Sequence, residues 1–342
     1  MPSDTIASDP VSRLAHKLGA AAARFAAIAG ARHVGLVLKL GISIGLTALV
    51  CRHIDGAALG ESFAGQSPMW IIATALLGLL QIALLTLRWQ QVLRGLGGET
   101  RFGSALSVTF MGCFFGAFLF GPTGGDVARA VLAPARALGR RGMVHSVLFE
   151  RLASVVGLGL AAAPLLLFDL GPVSRLPLIA ALAIVVLAFL ATWVVASLAR
   201  RFAGRAGGLF FVLRDLDQSR RRLVRTWPRF TVAVAIATVG QLLVAVEAWC
   251  LAQSQHLGVP FVDFAILMPA VMLLIALPIS AGGWGVREGA IVAALALVGV
   301  GTAPALLLSV ELGLIGTAVS LPGGAIWLHR CFSQPNPKNS VA

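Results

Sequence analysis

Residues 278–288 read Pro-Ile-Ser-Ala-Gly-Gly-Trp-Gly-Val-Arg-Glu and divide two apolar runs, 264–277 and 290–300. A helix needs about 20 apolar residues to cross a bilayer, so neither run crosses alone. The motif therefore sets a proline, several glycines and the adjacent charges Arg287 and Glu288 at membrane depth. Unsatisfied backbone and unpaired charge are costly there, and such segments are tolerated only where they line a protein interior. The expectation is a re-entrant hairpin whose broken tip is a site.

The rest of the chain supports that setting. Apolar residues make up 58% of the 342 and charged residues only 12%, which excludes an ordinary soluble domain and points to a polytopic helical membrane protein. The formal charge of +13 is crowded beside apolar spans, as orientation signals and anionic-lipid contacts are, so no nucleic-acid partner is expected. Cys51, Cys113, Cys250 and Cys331 are scattered, with no histidine at ligand spacing, so neither a metal site nor a disulfide framework is expected, and no cofactor.

Charge placement orders the spans. A polar leader is followed by an amphipathic stretch, residues 11–33, suited to the membrane interface, where Leu14, Leu18, Phe25 and Ile28 share a face. Spans are expected at 34–51, 69–92, 143–168, 176–198, 231–250 and 304–328, with tryptophans such as Trp70, Trp89, Trp227 and Trp249 as interfacial belts. Arg88, Arg94 and Arg101 follow the second span, and nine arginines crowd residues 199–230. Basic loops face the cytoplasm, so a multi-pass protein of the cell inner membrane is expected, with both termini cytoplasmic.

The run 102–120 is long enough to cross, yet the sequence after it, Gly121-Pro122-Thr123-Gly124-Gly125-Asp126-Val127-Ala128-Arg129, leads into another basic cluster. A simple crossing puts that cluster on the wrong side. A hairpin over 102–138, broken at the Gly-Pro-Thr-Gly-Gly tip, removes the conflict. The all-α architecture expected is thus about six spanning helices plus two oppositely oriented re-entrant hairpins, 102–138 and 264–300. Their tips pair Pro122, Gly124, Gly125 and Arg129 with Pro278, Gly282, Gly283 and Arg287, suggesting an inverted repeat, although hairpin tips also converge on glycine. Broken segments in corresponding halves point to a midplane site.

Candidate binding residues are Gly124, Gly125, Asp126, Arg129, Glu150, Arg151, Ser280, Gly282, Gly283, Trp284, Arg287 and Glu288. Guanidiniums bind phosphate in a planar fork, and glycine tips let backbone amides approach an anion. The same charges read equally as a self-compensating network. Glu150 and Arg151, like Arg287 and Glu288, are neighbours that point apart on a helix, so each is expected to find a partner on another segment. Glu247 and Glu311 lack basic neighbours and are candidate proton-coupling carboxylates. No GxSxG, HExxH or Walker pattern marks a catalytic residue. Ser280 beside Arg287 and Glu288 is the nearest thing to one.

The run 121–129, then Glu150-Arg151, then 278–289 resembles the lysylphosphatidylglycerol synthase transmembrane-region family, also described as flippase-like membrane proteins. The resemblance covers roughly residues 34–328. It implies transfer of an anionic or aminoacylated phospholipid, or a polyprenyl-phosphate-linked lipid, between leaflets. In two-part members a separate soluble domain makes the lipid. This chain ends soon after its last span, so a non-enzymatic transporter is expected and the synthase activity is not carried over. The expected divisions are a tail and interfacial helix at 1–33, a transmembrane domain at 34–328 and a tail at 329–342. The alternative is a scaffold for a membrane or cytoplasmic lipid-modifying enzyme, held through the arginine-rich 199–230 stretch.

Overall fold

A computed structural model describes residues 65–133, 138–163, 183, 187, 194, 208–276 and 285–333. Nine helices are described: α1 (Pro68–Gly95), α2 (Phe102–Phe115), α3 (Gly121–Leu132), α4 (Gly139–Ala162), α5 (Gly208–Arg225), α6 (Trp227–Ser254), α7 (Phe261–Ala276), α8 (Val286–Ala296) and α9 (Thr302–Ser333). Four of them, α1, α4, α6 and α9, are long and apolar enough to cross a membrane. Several such helices in one chain are the mark of a multi-pass membrane protein. They coincide with four of the expected spans. The expected spans at 34–51 and 176–198, the stretch 11–33 and the tail from 334 lie outside the described residues, apart from three isolated positions in the second of these spans.

Helix α1 turns polar residues inward and much of its apolar surface outward. Ile72, Leu76, Leu79, Leu80 and Leu87 are exposed, whereas Thr74, Thr86 and Gln90 are buried beside Ile82, Trp89, Val92 and Leu93. That inversion suits a lipid solvent, where apolar side chains gain nothing by turning inward and polar ones serve as contacts between helices. Helix α6 packs on α1 along its whole length, in antiparallel register. The Ser67 amide donates to the Ser254 carbonyl at 3.1 Å, Gln81 Nε2 to the Gly240 carbonyl at 3.1 Å, and Thr226 Oγ1 to the Gly95 carbonyl at 3.0 Å. Helix α4 runs alongside α6 in the same direction. Phe149 meets Phe230 and Val234 in one apolar cluster, and a Cβ at Gly157 would lie 2.5 Å from Ala237 Cβ.

Helix α9 runs parallel to α1, with Gln66 bonded to Glu311 and Gly78 against Val319. Glycine lets it approach two other helices closely. Gly313 lies under the Arg287 guanidinium of α8, and Gly323 lies against the Phe110 backbone of α2. Short helices α7 and α8 pack on each other and share the main apolar core with α6 and α9 through Phe264, Met268, Ile291, Leu295 and Leu308.

The first broken segment differs from its expected form. Gly121–Leu132 is helical, and the chain turns back before it, through a wider π-helical turn at Gly116–Phe120. Proline is tolerated in a helix's first turn, where its missing N–H is unneeded, so Pro122 begins α3 instead of breaking it. The glycine that follows serves packing: a Cβ at Gly125 would sit 2.5 Å from the Gly112 carbonyl oxygen.

Helix α5 lies across the ends of α1, α4 and α6, burying Leu223 beside Val92, Leu96 and Phe230. His145 Nδ1 of α4 bonds Ser219 Oγ at 2.9 Å. Asp217 clasps Arg220 and Arg221 at 2.9 and 2.8 Å. Burial pushes the Asp217 carboxyl up, but hydrogen bonds from Arg221 and Arg220 outweigh it and hold the group below its ordinary value. A carboxyl depressed on folding stabilises above its unfolded pKa and ceases to as pH falls through the folded one. Amide exchange in α5 is therefore expected to accelerate selectively below about pH 4. Protection unchanged down to about pH 2 would show that the clasp contributes nothing.

Candidate functional site

The charged groups of the first motif meet between α1, α3 and α4. Asp126 and Arg129 are one helical turn apart on α3, and Arg129 Nη2 reaches Asp126 Oδ1 at 2.5 Å. The same nitrogen donates to Glu150 Oε2 on α4 at 2.9 Å, and Arg151 Nε donates to Asp126 Oδ2 at 2.5 Å. Glu150 and Arg151 each find a partner on another helix, Arg129 and Asp126 of α3.

A fifth member comes from α1. Arg88 forms an ion pair with Glu150 Oε1, without hydrogen-bond geometry. The sequence had marked Arg88 only as an orientation charge following a span. The signal that could have found it is periodic: Ser67, Thr74, Gln81 and Arg88 recur every seven residues, which keeps them on one helix face. Trp89, next along, is 1% exposed, bonds Ser146 Oγ at 3.1 Å, and lies 5.7 Å beneath the Arg129 guanidinium. It is a cation-binding floor, not an interfacial belt residue.

Among the described residues the cluster is not self-cancelling: three arginines face two carboxylates, leaving one positive charge in excess. Glu150 is 1% exposed, whereas the Arg151 side chain is 43% exposed, so the cluster opens on one side. Arg129 Nη1 and Arg88 Nε are buried with no acceptor among the described residues. A buried donor left unmatched is costly, and an excess of donors over acceptors is what an anion would meet. Gly124 and Gly125 are buried near the start of α3, next to Asp126.

The second motif is arranged differently. Gly285 has φ +84°, a conformation glycine adopts readily. Glu288 reaches back to accept from its amide and closes the start of α8. Arg287 Nη2 and Nε donate to Glu288 Oε1 at 2.6 and 3.1 Å. Among the described residues these neighbours pair with each other. At the first turn of a helix the long arginine can fold back across the end, over Gly313. Ser280, Gly282, Gly283 and Trp284 lie outside the described residues.

The two isolated acids sit toward the opposite end of α1 from Arg88. Gln66 and Gln255 both donate to Glu311, the latter at 2.9 Å. Glu247, on α6, is 8% exposed and its Oε1 has no donor among the described residues. No group of three potential metal ligands occurs among the described residues.

Comparison with protein families matches residues 36–324 to the lysylphosphatidylglycerol synthase TM region. No curated protein matches the chain.

Proposed function

We propose, from the premise that the chain belongs to the lysylphosphatidylglycerol synthase TM region family, that it carries an anionic lipid headgroup between leaflets without chemical change. The observation that supports this is the buried Arg88–Asp126–Arg129–Glu150–Arg151 cluster, with its excess positive charge and unmatched guanidinium nitrogens. A phosphate supplies the missing negative charge, and its oxygens accept from arginine in the planar geometry a guanidinium offers. Trp89 supports the central guanidinium from below, and Arg151 gives the open edge its charge. The acyl tails stay in lipid, so the headgroup avoids passage through bare hydrocarbon, where an unpaired charge is costly. Arg287, paired to Glu288 over Gly313, is a second station for the same headgroup. Phospholipids and polyprenyl-phosphate-linked lipids share the phosphate chemistry this reading uses.

The test exploits the charge count. Arg129→Gln leaves two arginines and two carboxylates, with Glu150 still facing Arg88 and Asp126 still bonded to Arg151. The variant is expected to elute as folded protein and to lose exchange of fluorescent phosphatidylglycerol in proteoliposomes, read by dithionite quenching of the outer leaflet. Full exchange in the variant would remove the cluster from transport.

A second reading, a scaffold for a lipid-modifying enzyme, is favoured by α5 alone. Arg221, Arg222 and Arg225 are exposed there, beside exposed Val224 and Trp227. Wild-type protein that exchanges no lipid on its own would favour that reading.

A further inference from the structure

We infer that the seam between α1 and α6 is a hydrated proton path, with Glu247 as its relay, running toward the Arg88–Glu150 pair; this rests on the transport reading above and supplies its coupling ion. The seam is marked by a polar residue every seventh position of α1: Ser67, Thr74, Gln81 and Arg88. On α6 the same spacing gives Ser254, Glu247 and Gly240. The contacts that set the register, Ser67 with Ser254 and Gln81 with Gly240, bring Glu247 level with buried Thr74. In a helix that faces lipid with leucine and isoleucine, a polar stripe turned toward its partner is the only polar line along the seam.

The atoms left unmatched decide what the seam holds. Gln81 Oε1 and Glu247 Oε1 on the seam, Gln241 Oε1 next to Gly240 on α6, and Gln255 Oε1 just past the end of α6 are all buried, all acceptors, and none has a donor among the described residues. Helix contacts made only for adhesion would pair these groups with each other. Thr74 does not help, because its hydroxyl donates to its own helix at the Trp70 carbonyl, 2.9 Å away. Four orphaned acceptors call for a source of protons, and water supplies it. A coordinated metal cation does not fit. Seven residues of helix rise about 10 Å, whereas a hard cation needs several oxygens within about 2.6 Å of one point. Rungs that far apart suit a file of water, in which protons pass from one hydrogen bond to the next.

Glu247 is the only carboxylate on the seam between its two ends. The one ionisable neighbour on its own helix is Cys250, one turn away on α6. The groups on the other helices are farther along their axes: Asp263 opens α7, and Glu311 of α9 is held by Gln66 and Gln255. On α1 the nearest is Arg88, two heptads on, where α4 contributes His145, Glu150 and Arg151. A proton taken up at Glu247 neutralises an otherwise solitary buried charge. Its onward transfer delivers positive charge toward the cluster that holds the anion, so proton uptake and headgroup binding are linked through charge.

The experiment uses full-length protein in phosphatidylglycerol and phosphatidylcholine vesicles that trap a pH-sensitive dye. After an external acid pulse, wild type is expected to admit protons faster than protein-free vesicles. Glu247→Gln and Gln81→Leu are expected to fall to the protein-free rate, with Glu247→Asp keeping part of the response. Both losing variants should elute as folded protein. Wild type no faster than empty vesicles, or Glu247→Gln conducting like wild type, overturns the path. Fluorescent phosphatidylglycerol exchange in the same vesicles separates the two readings: exchange without proton entry counts against the seam alone, and proton entry without exchange counts against transport alone.

Discussion

Glu150→Ala is expected to leave little folded protein, and Arg88→Met combined with Glu150→Gln to recover much of it. Glu150 is the acid that joins α1, α3 and α4: it faces Arg88 and bonds Arg129 at 2.9 Å while 1% exposed. Truncating one member of a buried ion pair costs about 3–5 kcal/mol, because the remaining charges stay buried without partners. Against a typical total stability of 5–15 kcal/mol, a loss of that size is decisive. The paired change removes the orphaned Arg88 charge and leaves Arg129 its bond to Asp126. Thermal unfolding in detergent, read through size-exclusion recovery, measures both. A single variant as stable as wild type would mean that the cluster is solvated instead of dry.

The second large effect is expected at Gly323. A methyl group there would fall on the Phe110 carbonyl and lie 2.9 Å from the Met111 amide. Backbone cannot swing aside as a flexible side chain can, so Gly323→Ala must separate α9 from α2. Overpacking of this kind costs about 1–3 kcal/mol. Gly316→Ala on the same helix meets nothing within 4 Å and is expected to be neutral or slightly stabilising, since alanine favours helix by about 1 kcal/mol over glycine. Unfolding temperatures of the two variants give the comparison. Equal values would show that the α2–α9 contact is not tight.

Much of the architecture was legible because lipid imposes strong rules. Apolar length located α1, α4, α6 and α9, and the Asp126, Arg129, Glu150 and Arg151 motifs converge as their charges require. Local geometry was less legible where one residue type serves two ends. Pro122 reads as a break, but a proline in the first turn also starts a helix, and the structure uses it so. Gly125 reads as a turn residue, but its missing side chain lets α3 touch α2. Arg88 and Trp89 read as interface residues because they close an apolar run, and only the seven-residue polar spacing on α1 distinguishes a buried arginine from a loop one. The Arg287–Glu288 contact was not legible because facing rules for a helix interior do not hold at its first turn.

Helix α9 touches Arg287 at Gly313 and the Phe110 region at Gly323. Ten helical residues separate these points by about 15 Å, near half the hydrocarbon thickness of about 30 Å. One continuous helix thus fixes the spacing between Arg287 and the α2 backbone that packs against Arg129. Under the proposed transport, a headgroup passing between the two would meet two shorter barriers in place of the single tall one of an unaided crossing.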